Sequence, residues 1–207
     1  MPLSVALAEF NAAIAQCDRL IANAHKQDVA GAHIFPPLDR EQITVAGFLN
    51  SFIAWEGFVE SAISNLMAGA PTIGGTAPTK YVSPIDVPSA RKIIVGVMQY
   101  FDYANHENVR RIAQLYFDQG YPFEPHIAGI MQDLTDLKIM RNASAHISAS
   151  TQAKLEALAQ RIFGIPKPGI KLYDLLLSKH PTAAAGQTVF AAYKEKLVVT
   201  AALIAQG

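Results

Sequence analysis

The sequence predicts an all-α fold, built as one helical bundle. Three observations carry that expectation. Long Ala-, Leu- and Gln-rich stretches place apolar residues three and four positions apart. No run alternates apolar and polar residues in the manner of a half-buried strand. Cap and breaker residues fall between the stretches: Asp39, Asn105 and the Gly164–Gly169 segment. The chain has 207 residues, a length that suits one domain with a core of ordinary size.

Taken in order, the first helix is expected from Ser4 to about Val29, ending before the loop Gly31 to Pro37. Asp39 is placed as an N-cap with Gln42 at the capping-box position, opening a second helix to about Met67. Between Gly69 and Pro88, Pro71, Gly74-Gly75, Pro78 and Pro84 exclude a helix. This long loop reads as a lid or a partner-binding arm. Ser89 to Phe101 and Asn105 to Gln119 form two shorter helices, the latter capped by Asn105. A longer helix is expected from Pro125 to His146 and another from about Ser150 to Phe163. After the break at Gly164–Gly169 come a short helix around Tyr173 to Leu177 and a terminal one from about Gln187.

Apolar residues make up 51% of the chain and charged residues 16%, which excludes a disordered chain. Seventeen basic and seventeen acidic side chains cancel. A neutral surface is a poor non-specific nucleic-acid binder, because that affinity comes from neutralising phosphates. Any nucleic-acid role therefore rests on a local cluster of cations. Cys17 is the only cysteine, so neither an intrachain disulfide nor a thiolate zinc cage can form. The start of the chain lacks a signal-peptide pattern, and Val189 to Ala205 is too short and too charged to span a bilayer. A cytoplasmic location without membrane contact is expected.

The helix expected over Pro125–His146 changes character along its length. Ile127, Ile130, Met131, Leu134 and Leu137 share one stripe at 100° per residue, the normal core face. Beyond Leu137 that stripe passes to Lys138, Arg141 and Ala145, with Asn142 beside them, while Ile139, Met140, Ala143 and Ile147 fall on the back. A long cation in line with a core stripe needs a counter-charge, a partner or an anionic ligand. Alternatively, the stripe emerges into solvent where cations suit the helix C-terminus. The second helix offers a complement. Glu56 falls among Val45, Phe48, Leu49, Phe52, Val59, Ile63 and Leu66, with Glu60 at the edge. A carboxylate there wants a partner, and Arg141 or Lys138 are candidates. For Glu56 alone, a simple interhelix ion pair is the preferred reading over catalytic support.

At the end of this helix stands Arg141-Asn142-Ala143-Ser144-Ala145-His146. The run resembles the signature of the HEPN superfamily, in which Arg and a polar residue precede His near a helix end. With Trp55-Glu56-Gly57-Phe58-Val59-Glu60 and Asn105-His106-Glu107-Asn108-Val109, the setting resembles the RiboL-PSP-HEPN group. The resemblance covers about residues 39–148; the helical extension over about 150–207 lies outside it. It implies an antiparallel bundle that dimerises with two motifs facing across a cleft, and a metal-independent endoribonuclease needing no cofactor. Arg141 would contact the phosphate, His146 would move protons and Asn142 would assist, with Glu56 and Lys138 as supporting residues. Some members only bind RNA, nucleotides or protein, and that binding module is the alternative expectation. Where HEPN toxins under antitoxin control often carry Tyr two residues after the histidine, this chain has Ser148. That mode of control is not inferred, and a regulatory protein partner stays open.

The residue types suit that chemistry. Histidine titrates near neutrality and can accept or donate a proton. Arginine presents a fork of donors to a crowded phosphate. Arg141 and His146 stand five residues apart, about 140° around an ideal helix, so the pair fits a site shared across a twofold axis. The remaining histidines, His25, His33, His106, His126 and His180, lack metal-ligand spacing. Arg110-Arg111 reads as solvated, and the cluster Tyr100, Phe101, Tyr103, Tyr116 and Phe117 reads as core.

Overall fold

A computed structural model describes residues 2–145, 148–184 and 186–207. The described chain is helical throughout, in the order α1 (Leu3–Ala24), α2 (Pro37–Met67), α3 (Val87–Val95), α4 (His106–Tyr116), α5 (Phe123–Ala128), α6 (Met131–Ala145), α7 (Ala149–Phe163), α8 (Leu172–Leu177) and α9 (Val189–Gln206). Among the described residues there is no strand, although isolated bridges join Gln27 to His33, Lys80 to Phe117 and Lys179 to Thr188. No helix among them is long and apolar enough to cross a membrane.

Local chemistry explains where the helices begin and end. α1 stops at Ala24 rather than Val29, because the Asp28 carboxylate accepts from the amides of Ala30 and Ala32, both at 2.9 Å, and folds the chain back. α2 starts at Pro37, so Asp39 lies in its first turn instead of capping it. Proline at the first helical position has no amide to leave unsatisfied, and a carboxylate just behind it suits the positive helix end. Asp86 caps α3 through a 2.8 Å bond from the Ser89 amide. Gly96 at φ 59° ends that helix at Val95, short of the expected Phe101. Asn105 caps α4 as expected, accepting from the Glu107 amide at 3.1 Å. α4 closes at Tyr116, and a 3₁₀ turn over Asp118–Gly120 follows.

The helix expected as one piece from Pro125 to His146 is two. α5 ends at Ala128 and α6 begins at Met131, with Gly129 and Ile130 between them. The break resets the buried arc. On α6 it runs through Leu134, Leu137 and Met140, all 2% exposed or less, at the three-residue spacing of a core face. Met140, expected on the back, is therefore core, and Met131, expected in the stripe, is 36% exposed.

The described chain divides into two compact units. The first comprises Met1–Asn11, Ala54–Leu134 and Lys196–Gly207. Its centre is an aromatic group: Phe10 lies 6.3 Å from Trp55 and 5.5 Å from Phe58, and Trp55 lies 6.1 Å from Phe58, centroid to centroid. Aromatic pairs at such separations add stability beyond their buried area. Phe117 and Phe123 pack nearby in the chain at 5.9 Å and are fully buried. Arg110 grips Glu124 with Nε at 3.1 and 2.9 Å from the two carboxylate oxygens and with Nη2. Arg110 is thus engaged internally rather than solvated.

The loop after α2 is tied down. The Ile73 and Gly74 amides donate to the carbonyls of Ala205 and Gln206 at 2.8 and 3.1 Å, supplying partners to the C-terminal end of α9. Lys80 Nζ donates to the Met67 carbonyl at 2.7 Å, and the Tyr81 hydroxyl to Asp118 at 2.9 Å. These bonds clamp residues 72–81 to the ends of α9 and α2 and to the turn after α4.

The second unit comprises Ala12–Ile53 and Thr135–Glu195. α1 and α2 approach closely here because Gly47 has no side chain. A Cβ on Gly47 would sit 2.8 Å from Ile21 Cδ1. Phe48 meets Phe190 edge-on at 5.9 Å. Asp136, 1% exposed, accepts from the Tyr193 hydroxyl at 2.7 Å and pairs with Arg161. α7 opens with a reciprocal cap, in which Ser148 and Thr151 each accept the other's amide. It closes at Gly164, whose left-handed φ of 72° only glycine adopts cheaply.

Candidate functional site

Arg141 to Ala145 of the motif form the last turn of α6, where the negative end of the helix dipole favours cations. Lys138, Arg141 and Asn142 are all half-buried there. The Ser144 hydroxyl turns back and donates to the Arg141 carbonyl at 2.6 Å, satisfying one of the end carbonyls.

Arg141 is the notable group. Among the described residues of its own unit its guanidinium has no carboxylate partner. Its contact is Nη1 to Asn142 Oδ1 at 3.4 Å, longer than a normal N–H···O bond. Other cations of this unit are paired: Arg161 with Asp136, Lys171 with Glu41 at 3.0 Å and Lys194 with Asp18 at 2.6 Å. Arg141 and Asn142 thus present several donors from one helix end. His146, the expected proton carrier, lies outside the described residues. Glu56, expected as a supporting carboxylate, is half-buried and belongs to the first unit, whereas Lys138, Arg141 and Asn142 belong to the second. Lys138, Arg141 and Asn142 share the last two turns of α6.

Sequence reasoning did not anticipate a cleft of about 410 Å³ in the second unit, next to the motif. It is lined by Ala143 and Ser144 from α6, Ser148, Thr151, Gln152 and Leu155 from the start of α7, Glu41 and Val45 of α2, and Lys171, Leu172 and Tyr173 around the start of α8. Its faces are mixed: apolar walls, hydroxyls, an amide, a carboxylate and an ammonium. Gln152 is fixed by donating to Glu156 at 2.9 Å and to the Ile170 carbonyl at 3.1 Å, which leaves its own oxygen as an acceptor. Tyr173 lines the cleft and stacks on His25, with ring centroids 6.0 Å apart and planes 12° from parallel. His25 in turn meets the Thr44 hydroxyl at 3.0 Å. Burial, reinforced by the nearby charges of Arg40 and His33, holds the His25 imidazole below its ordinary pKa.

Most of these residues lie in the segment beyond position 148, where no motif marked them. Their signal is tertiary, since the cleft draws on four chain segments that no local pattern connects. Among the described residues, no group of three or more His, Cys, Asp and Glu side chains is placed to hold a metal ion. Compared with protein-family models, curated proteins and solved structures, the chain matches none.

Proposed function

We propose that this protein is a metal-independent endoribonuclease whose site is built from Arg141, Asn142 and His146 and completed across a homodimer. The observation that carries the reading is the Arg141 guanidinium: half-buried, without a carboxylate among the described residues of its own unit, and touching Asn142 one residue on. A cation withdrawn from water without a counter-ion is costly, and a phosphodiester supplies the missing charge. Arginine's planar fork matches two phosphate oxygens at once.

In the reaction the 2′-oxygen attacks the adjacent phosphorus while its proton passes to His146. The bond from phosphorus to the 5′-oxygen breaks, and that oxygen takes up a proton. The products are a 2′,3′-cyclic phosphate and a free 5′-hydroxyl. Arg141 and Asn142 donate to the non-bridging oxygens as charge builds on them. Residues five positions apart in sequence, as Arg141 and His146 are, diverge by about 140° on an ideal helix, and a twofold axis would let one protomer's arginine and its partner's histidine meet one phosphate.

The test is incubation of the purified protein with mixed RNA in excess EDTA, beside folded Arg141→Ala and His146→Ala variants. The expected result is cleavage by the wild type, leaving cyclic phosphate ends, with at least a hundredfold loss in each variant. Intact RNA with the wild type, or equal cleavage by all three, would refute the reading. RNA that is bound in an Arg141-dependent manner but never cut would make the protein a binding module instead.

A further inference from the structure

We infer that the cleft between the end of α6 and the start of α7 is a nucleobase subsite, which holds one base of the RNA whose phosphate Arg141 binds. The inference rests on the ribonuclease reading for its phosphate, but its own evidence is the shape and chemistry of the cleft. At about 410 Å³ the space falls in the range of small-ligand pockets and accommodates a base with its sugar. Val45, Leu155 and Leu172 supply apolar contacts for the faces of a planar ring, and Tyr173 supplies an aromatic one.

The rim supplies the edge chemistry. The Gln152 oxygen accepts, and Glu41 and Lys171, paired with each other at 3.0 Å, retain further acceptor and donor positions, while the Ser148 and Thr151 hydroxyls are engaged in the cap of α7. A base carries donors and acceptors side by side on one edge and can use such a mixture. Tyr173 is held against His25 and Gln152 is pinned by two donated bonds, so both are positioned before a ligand arrives.

Continuity with the motif selects a base of the bound strand over a separate small molecule. Ser144, on the cleft wall, lies about 60° around and about 4.5 Å along α6 from Arg141. The same Ser144 hydroxyl holds the Arg141 carbonyl at 2.6 Å. A phosphate on Arg141 and a base in the cleft would therefore meet the same end of α6.

The experiment measures binding of four short homopolymeric DNA oligonucleotides, A, C, T and G, by fluorescence anisotropy to the whole protein. Lacking 2′-hydroxyls, they cannot be cleaved by the proposed route, so the result does not depend on activity. Wild type is compared with Val45→Trp, which fills the cleft from a half-exposed position on α2, and with Lys171→Ala at the rim. The expected result is a base preference of at least tenfold, reduced to less than threefold by Val45→Trp. Equal affinity for all four oligonucleotides, an unchanged preference in Val45→Trp, or no binding at all would overturn the inference. Lys171→Ala, which alters the rim without filling the cleft, is expected to weaken the preferred oligonucleotide while leaving some discrimination. Mononucleotides tested alongside should bind at least a hundredfold more weakly than the preferred oligonucleotide; equal affinity would mark the cleft as a free-nucleotide site and refute its role in the strand. Cleavage of RNA, assayed separately, tests the ribonuclease reading on its own.

Discussion

Replacing Asp136 with alanine tests how much of the second unit depends on one buried carboxylate. Asp136 is 1% exposed, and the Tyr193 hydroxyl and Arg161 are among the groups that rely on it. The first is the Tyr193 hydroxyl, 2.7 Å away on a side chain that is itself 4% exposed. Removing the acceptor strands that hydroxyl away from water, at about 1–3 kcal/mol. The second is Arg161, whose side chain remains 49% exposed. It can turn to solvent, so its share is closer to the ~0–1 kcal/mol of a surface pair than to that of a fully buried one. Asp136→Ala should therefore cost about 3 kcal/mol. Asp136→Asn keeps an acceptor for Tyr193 and should cost about 1 kcal/mol. Urea unfolding followed by far-UV circular dichroism measures both, and the single tryptophan, Trp55, reports separately on the first unit. A loss below 1 kcal/mol in Asp136→Ala, or equal losses in both variants, would show that Tyr193 finds another partner and refute the argument.

Two further outcomes follow from the same structure. The hydrogen bonds from Arg110 hold the Glu124 carboxyl below its ordinary value near 4.5, against the opposing effect of burial. A depressed folded pKa stabilises at pH above the unfolded value and loses that contribution as pH falls through the folded one. Acid unfolding monitored at Trp55 should therefore show about 1 kcal/mol lost below pH 4.5, and Glu124→Gln should remove that component; an unchanged acid profile in the variant would exclude it. Gly164→Ala meets no atom within 4 Å, so its cost is backbone strain alone, about 1 kcal/mol read as a lower Tm. A Tm equal to that of the wild type would mean that α7 can end in another conformation.

What could be read from the sequence was local. Asn105 capping α4 and Gly164 closing α7 depend on residues within one helical turn, and both appear as expected. The continuous helix through Gly129 was not legible as two, because a single glycine costs a helix only about 1 kcal/mol and tertiary packing decides whether it breaks. That break rotated the core arc and buried Met140. Asp136 looked like an ordinary polar position, since Arg161 and Tyr193 stand 25 and 57 residues away along the chain. The motif showed in the sequence, as residue types at a spacing. The cleft beside it did not, because its lining comes from four separated segments. The loop after α2 was only partly legible for a related reason: its glycines and prolines report that it is not helical, and say nothing of the α9 carbonyls that receive its amides.

That clamp has a consequence for the order of assembly. Ile73 and Gly74 find their acceptors on Ala205 and Gln206, near the far end of the described chain. Closing a loop of that length costs on the order of 4 kcal/mol in chain entropy before any contact compensates it. Contacts of such high sequence separation form late and slow the folding of the unit that contains them. As the polypeptide is synthesised, residues 54–134 can gather their helices early, yet the amides at 73 and 74 stay solvated until α9 has been made. The first unit thus has a folding step that waits for α9.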